Sequence, residues 1–466
     1  MMRICVVGTG YVGLVTGTCL ASLGHSVLGV DTQEAKIAML KAGVMPIYEP
    51  GLEALVGEAR EAGRLAFATD AGEAMEAETL VLVFAIGTPT GADGATADLT
   101  ALLSAVETAA RQRAAARRDG FVAIVVKSTV PVGTCRALDA LVARHLPRAA
   151  YAVVSNPEFL REGNAIKDFL EPDRIVVGSD SEEGLGLMRR LYAPLTDRGF
   201  RLVALGRVET SEMVKYASNV FLAAKIGLVN EFARLCDRVG ADIDDLAVGI
   251  GLDRRIGGAS LKAGPGFGGS CFPKDLRALT RTALDRHCPM PIAEAVILSN
   301  EMQKAHAVAT IVETLGGDVR ELRLAVLGLS FKAGTDDLRE APALAIIEAL
   351  IAAGARVVAY DPVAMVHARE LPADIELAPS AEDAVQEADA VVIATEWKQF
   401  AALNWGRLQA DMARPLVFDL RNILDGPALV ELGYDYVALG RPGATTLTTP
   451  ADAASLARPA HSIAAE

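Results

Sequence analysis

The residues best suited to covalent chemistry lie in Gly264-Pro-Gly-Phe267-Gly268-Gly-Ser-Cys271-Phe-Pro-Lys274-Asp275. Four glycines within six residues make a loop whose backbone can approach a ligand closely. Cys271 follows that loop and precedes what reads as a helix carrying Lys274 and Asp275. A thiol at a helix start beside a lysine is in a setting that lowers its pKa, which suits a nucleophile. The competing reading is a buried structural cysteine. Lys215 and Asn219 are spaced i,i+4 and so share one face of a predicted helix, where a plain polar face would look the same. Glu158 and Glu162, in Asn156-Pro-Glu-Phe-Leu-Arg-Glu-Gly163, lie just beyond a predicted strand end, where open α/β sheets bind ligands. Thr129, in Lys127-Ser-Thr-Val-Pro-Val-Gly133, has the same placement.

A second cluster opens the chain. Gly8-Thr-Gly10-Tyr11-Val12-Gly13 follows a predicted strand at Arg3–Val7 and leads into a small-residue helix. The next strand, Ser26–Val30, closes on Asp31, 21 residues beyond Gly10. GxGxxG alone is weak, but this strand, turn, helix and acidic strand end together predict a dinucleotide site. Gly8 permits the tight turn, Gly10 lets a pyrophosphate approach the backbone, and Gly13 lets helix and sheet close. The phosphates then rest on the helix N-terminus. Asp31 can accept from ribose hydroxyls and would repel a 2′-phosphate, which favours NAD over NADP. Lys36 is near enough to reach such a cofactor, although a solvated lysine reads equally well. FAD shares the fingerprint, so the catalytic residues must decide between them.

The elements that position these groups fall into three stretches. Strands are predicted at Leu80–Ile86, Val122–Lys127, Ala152–Ser155 and Arg174–Gly178, with helices at Asp98–Arg117 and Gly133–His145 between them. That alternation predicts a parallel sheet covered by helices. From Glu209 to Val239 a long helical stretch follows, then shorter helical pieces, with no strand until about residue 322. A second α/β region has strands at Leu324–Leu327, Arg356–Tyr360, Ala390–Ala394 and Leu416–Asp419, and a helix over Ala341–Ala353. Its layout partly echoes the first region, but Gly328-Leu-Ser-Phe lacks the GxGxxG turn. The expected organisation is α/β: an N-terminal Rossmann-type dinucleotide-binding domain (1–205), a helical middle domain with a long connecting helix (206–310), a C-terminal Rossmann-like domain (311–440), and a flexible tail (441–466).

Bulk composition narrows the function. At 466 residues the chain is too long for one ordinary core and suits two or three domains. With 51% hydrophobic and 22% charged residues it is globular in composition. A net charge of −14 argues against a nucleic-acid partner, since phosphate backbones reward clustered Lys and Arg. Apolar runs such as AIVV are far too short for a membrane span. The six cysteines form no CxxC pair, so neither a zinc site nor a disulfide framework is suggested. The opening MMRICVVGTG runs directly into a strand with no room for a signal peptide, and a cytoplasmic address is expected.

GxGYVGL, KSTVPVGT, NPEFLREG, the Lys215/Asn219 helix, GPGFGGSCFPKD and Phe331-Lys332-Ala-Gly-Thr-Asp-Asp-Leu-Arg339-Glu occur in the order in which they occur in the UDP-glucose/GDP-mannose dehydrogenase family. The resemblance spans roughly residues 1–430. It implies NAD-dependent, four-electron oxidation of UDP-glucose at C6 to UDP-glucuronate, by way of an aldehyde, a thiohemiacetal and a thioester on Cys271, with two NADH released. Carried over residue by residue, the nucleophile falls on Cys271 and its assisting lysine on Lys215. Asn219 and Asp275 would position water and stabilise oxyanions. Thr129, Glu158 and Glu162 match positions around the reacting sugar, cofactor and catalytic water. Thr88, Lys274 and Arg339 match cofactor-side positions. Phe159, Leu160 and Arg161, the Gly264–Gly268 loop, Lys332 and Arg421 would contact substrate. Arg255 matches an arginine that reaches the partner subunit's site, so a homodimer or higher oligomer is implied. FGGSCFPKD resembles the UDP-glucose branch, whereas the N-acetylmannosamine branch carries a GGHC-type version. GDP-mannose or a UDP-N-acetylhexosamine is the alternative substrate, and a non-catalytic NAD sensor or scaffold the alternative class.

Overall fold

The computed structural model describes residues 1–78, 80–116 and 120–442. Arg117, at the expected end of one helix, and the expected tail from residue 443 onward lie outside the described residues. The chain forms two compact units, residues 1–219 with 274–290, and residues 220–273 with 291 onward.

The first unit is built on eight strands: β1 (Arg3–Val7), β2 (Ser26–Val30), β3 (Leu65–Ala68), β4 (Leu80–Phe84), β5 (Val122–Val126), β6 (Tyr151–Ser155), β7 (Ile175–Gly178) and β8 (Leu202–Leu205). Their order is β3-β2-β1-β4-β5-β6-β7-β8. The Val-rich strands β4, β5 and β6 are buried along their whole length, as expected for parallel strands with helices on both faces. The order β3-β2-β1-β4-β5-β6 is that of a dinucleotide-binding sheet.

The expectation of a wholly parallel sheet needs one correction. β7 meets β6 antiparallel, at Ser155 and Gly178, and β8 then runs parallel to β7. The intervening chain contains only the six-residue helix Ala165–Leu170. Such a helix rises about 9 Å, whereas the five-residue β6 spans about 17 Å. It does not carry the chain back along the sheet, so β7 starts beyond the end of β6 and runs back towards it, the last residues of the two strands meeting.

The helix Val208–Val239 runs 32 residues, its first part in the first unit and the rest, from Val220, in the second. This matches the long helix expected from Glu209. In the second unit Val229, Ala233, Cys236, Ile243, Leu261 and Ala263 form a small core around that helix. The helix Pro291–Thr314 follows, and among the described residues no strand intervenes before β9.

The second sheet comprises β9 (Arg323–Leu327), β10 (Arg356–Tyr360), β11 (Glu376–Leu377), β12 (Ala390–Ile393), β13 (Leu416–Asp419) and β14 (Asp435–Ala438). Its order, β11-β10-β9-β12-β13-β14, repeats that of the first six strands of the other sheet, and every pair is parallel. Each sheet's first strand ends on a glycine in the left-handed region. Gly8 (φ 95°) donates to Val30 O at 2.8 Å, and Gly328 (φ 101°) donates to Tyr360 O at 2.8 Å. Beyond that point the paths differ: a helix begins at Tyr11 in the first case and only at Pro342 in the second. Among the described residues, no helix is long and apolar enough to cross a membrane.

Candidate active site

The glycine turn fits a dinucleotide. A Cβ on Gly8 would lie 2.6 Å from Ala85 O, and one on Gly13 only 1.8 Å from Gly8 O, whereas Gly10 faces open space. The helix Tyr11–Ser22 starts at Gly10 with no side-chain cap, so its first N–H groups are free of side-chain acceptors. At the end of β2, Asp31 Oδ2 accepts from Thr9 N (3.0 Å), Thr9 Oγ1 (2.9 Å) and Lys36 Nζ (2.9 Å). Its Oδ1 has only Gln33 N, at 3.1 Å, and keeps room for a further donor. Burial opposes ionisation of Asp31, but Lys36 and the Gln33 and Thr9 donors outweigh it and hold the carboxyl below its usual range. Lys36 is therefore a partner of Asp31 rather than a freely solvated lysine. Thr88 Oγ1 donates to Thr129 O at 2.7 Å, joining the segments that follow β4 and β5.

The remaining candidates of the first unit form two buried clusters on one helix face. Lys215 Nζ lies 2.8 Å from Glu158 Oε1, and both side chains are 5% exposed. Glu158 Oε2 accepts from Leu160 N at 2.6 Å. Burial pushes the Glu158 carboxyl up, but Lys215, the Leu160 N–H and Lys127 more than offset it, and the carboxyl stays below its usual range. Phe159 packs its ring under Arg174 at 3.7 Å and within 5.6 Å of the Lys215 ammonium. One helical turn beyond Lys215, Asn219 Nδ2 donates to Asp275 Oδ2 at 2.6 Å, and Lys274 Nζ reaches Asp275 Oδ1 at 2.6 Å. Asp275 is fully buried, so both its oxygens are fixed by protein donors. Arg161 instead turns to Asp168, at 2.6 Å, and is largely exposed, while Glu162 is half-buried.

In the second unit the glycine loop is held from behind by three buried amides. Asn230 Oδ1 accepts from Gly264 N (2.9 Å), and Gln303 Nε2 donates to Gly264 O (2.8 Å). Asn300 bonds both the N–H and the carbonyl of Phe267, at 2.8 and 3.0 Å. Gly266 and Gly269 adopt φ of 121° and 82°, and a Cβ on Gly268 would meet Glu340 O at 2.2 Å. Gly269 N also bonds Arg339 O at 2.9 Å. Cys271 is half-buried, with Ser270 Oγ 3.6 Å from its sulfur, and stands immediately before the helix Phe272–Asp285. Cys5, Cys19, Cys135 and Cys236 are buried instead, and burial pushes the Cys5 and Cys19 thiols up to about 12. Arg421 donates to Ala394 O (2.8 Å) and Phe331 O (3.0 Å), which ties it to the Phe331–Lys332 segment. The Arg339 side chain bonds Asp337, and that of Arg255 bonds Asp253; both arginines are exposed.

Several supporting residues had no place in the sequence reading. Lys127, inside a motif already singled out, is wholly buried with Nζ 3.3 Å from Asn156 Oδ1, and burial pushes it down to about 8. Glu212 caps the helix Thr134–Val142 by accepting from Gly133 N and Cys135 N, each at 2.7 Å. Glu49 does the same for Gly163 and Ala165. A polar residue just past a strand end signals Lys127. Nothing in the spacing signals Glu49 or Glu212, whose side chains accept from backbone N–H groups 77 to 116 residues away.

Residues 2–196, 209–302 and 325–426 match, in turn, the NAD binding, central and UDP binding domains of the UDP-glucose/GDP-mannose dehydrogenase family. A UDP-glucose 6-dehydrogenase of Rhizobium meliloti (strain 1021) is 47% identical over 443 residues, covering 95% of this chain and 100% of the relative. One from Pseudomonas aeruginosa is 44% identical, covering 95% and 98%. The solved structure of a UDP-glucose dehydrogenase from Pyrobaculum islandicum superposes with a TM-score of 0.84 at 39% identity, covering 91% of this chain and 95% of that one.

Proposed function

The chain belongs to the UDP-glucose/GDP-mannose dehydrogenase family, and from that premise we propose that it oxidises UDP-glucose twice at C6, to UDP-glucuronate. The observation that carries the reading is Cys271 at the head of a helix whose next turn bears Asp275, a buried carboxylate already fixed to Asn219. A two-electron alcohol dehydrogenase needs no such thiol. NAD, when bound, would supply the hydride acceptor for each of the two oxidations. Gly8, Gly10, Tyr11, Val12, Gly13, Asp31 and Lys36 would hold its adenosine and phosphates, and Thr88, Thr129, Glu162, Lys274 and Arg339 would complete the cofactor side.

Lys215 is paired with Glu158 in a dry setting. Its ammonium and the Asn219 amide stabilise the C6 oxygen as negative charge gathers there. The hydroxyl proton leaves through Glu158 or a water beside it. The Cys271 thiolate adds to the resulting aldehyde, and the thiohemiacetal loses the second hydride to become a thioester. Water, oriented by Asp275 and Asn219, attacks the thioester carbonyl, releasing the carboxylate and regenerating the thiol. Phe159, Leu160 and Arg161 support the sugar, while the Gly264–Gly268 loop, Lys332 and Arg421 hold the nucleotide.

A homodimer is part of the same reading. Phe221, Leu228 and Leu235 recur every seven residues on the Val208–Val239 helix and are 70%, 51% and 56% exposed. With Leu298 and Met302 of the Pro291–Thr314 helix they offer an apolar surface suited to a second copy. Arg255, with its side chain 89% exposed, would reach the partner's substrate. The division at 1–205, 206–310 and 311–440 and a cytoplasmic setting, which suits six unpaired cysteines, complete the proposal.

The test is stoichiometric. Two NADH should form per UDP-glucose, with GDP-mannose and UDP-N-acetylmannosamine turned over far more slowly; one NADH, or a preference for another sugar nucleotide, refutes the reading. Cys271→Ser should stop the second oxidation, and near-normal four-electron turnover would remove Cys271 from the mechanism.

A further inference from the structure

Glu49 lies between the helices Glu34–Ala42 and Leu52–Glu61, in the first unit, and its side chain is buried. Both carboxylate oxygens are engaged. Oε2 accepts from the Tyr11 hydroxyl and from Gly163 N (2.7 Å), and Oε1 accepts from Ala165 N (2.7 Å). Gly163 N is also 3.1 Å from the Tyr11 oxygen, so tyrosine, glutamate and loop backbone close into one knot. Gly163 has φ 78°, a conformation that ties this turn to glycine. Burial and the neighbouring Glu49 push the Tyr11 phenol well above its usual range, so it remains a donor.

The two ends of the knot lie in segments assigned above to different ligands. Tyr11 is the first residue of the helix that opens on the glycine turn. Gly163 closes the Glu158–Glu162 segment, and the helix Ala165–Leu170 begins two residues later. We infer that Glu49 is a positioning residue that couples the two ligands of this unit, the dinucleotide at the glycine turn and the sugar nucleotide at the 158–163 loop, by holding Tyr11 and Gly163 on one buried carboxylate. The inference rests on the function proposed above. Ordering the turn around the dinucleotide fixes Tyr11, and through Glu49 it fixes the backbone that frames the sugar. The second ligand then binds a loop already ordered, and the coupling is reciprocal.

Calorimetry with NADH and UDP-glucose tests this, since NADH accepts no hydride and the ternary complex does not turn over. In the native protein, saturating NADH should tighten UDP-glucose binding by about tenfold. In Glu49→Gln, where one acceptor oxygen becomes an amide facing a backbone N–H, the ratio should fall below about twofold. Tyr11→Phe, which keeps the ring and loses only the hydroxyl, should do the same. The double variant should fall no further than either single one, as expected for groups acting through one bond. A mere helix-capping role would lower the melting temperature and leave the ratio intact. A folded variant with the native ratio, or a native ratio of one, overturns the coupling while the proposed function stands. Native protein that binds no UDP-glucose overturns both. If Glu49→Gln fails to fold, Tyr11→Phe alone decides.

Discussion

Asp31 and Asp361 occupy the same place in two sheets of the same strand order, at the end of the strand beside the glycine turn. Around them the two regions diverge. Asp31 has one oxygen crowded by Thr9 and Lys36 and the other with a single partner. Asp361 is wholly buried. Its Oδ1 accepts from Val363 N (3.0 Å) and Ala364 N (2.9 Å), and its Oδ2 from Leu329 N (2.8 Å), Ser330 N (3.1 Å), Ser330 Oγ (3.1 Å) and Trp397 Nε1 (3.3 Å). A carboxylate has about four acceptor positions, so Asp361 has none left for a ribose. The same strand order therefore yields a cofactor site in one region and a structural staple in the other. What differs is the length of chain after the glycine and which donors it folds back.

The largest test breaks the first region. Gly13→Val forces a side chain where Gly8 O lies 1.8 Å from the ideal Cβ. NADH affinity, read by fluorescence titration, should fall at least about 100-fold with clear destabilisation; near-native binding would show that the turn does not hold the cofactor. Next, Asp361→Asn should lower stability to denaturant by about 2–4 kcal/mol, because an amide cannot accept from six donors. NADH affinity of the folded protein should stay within about twofold. Asp31→Asn should do the converse. Its NADH affinity should weaken about tenfold, with a narrowed preference over NADPH and a smaller loss of stability than Asp361→Asn causes. If the two aspartates behave alike, the contrast between the regions is wrong.

A further contrast lies at β5 and β13, which hold matching positions in the two orders. Just past β5, burial pushes Lys127 from 10.5 down to about 8, with Lys215 adding to the effect and Glu158 opposing it. Between those values the unfolded chain carries a proton there that the folded protein has released, so stability rises with pH through that window. Lys127→Met should remove that slope in denaturant midpoints measured from pH 7.5 to 10.5; an unchanged slope would exclude Lys127 as its source. At the end of β13, burial pushes the Asp419 carboxyl up against its N–H and hydroxyl donors, which gives the opposite sign: stability present at low pH is lost as pH rises through the raised value.

The parts legible in sequence were those governed by short-range patterns. Apolar strands ending at Gly8 and Asp31, the i,i+4 pair on a long helix, and a glycine loop abutting Cys271 all encode their geometry within a few residues. The short strands β3, β8, β11 and β14 escaped notice. β8 is exposed at both central residues and β11 has only two residues, so neither shows a buried apolar run. The reversal at β7 was hidden because alternation of strand and helix is silent about direction when the helix is short. Glu49, Glu212, Asn230, Asn300 and Gln303 look like ordinary polar residues, and only distant backbone groups give them meaning.

That reversal bears on how the molecule forms. Ser155 and Gly178 are as far apart along the chain as the parallel partners Arg3 and Ser26 of β1 and β2. Loop-closure entropy depends on that length and not on strand direction, so turning β7 round adds nothing to what closing the glycine-turn unit already costs. The segment carrying Glu158 through Arg174 can therefore find its path by folding as local as that which forms the dinucleotide turn.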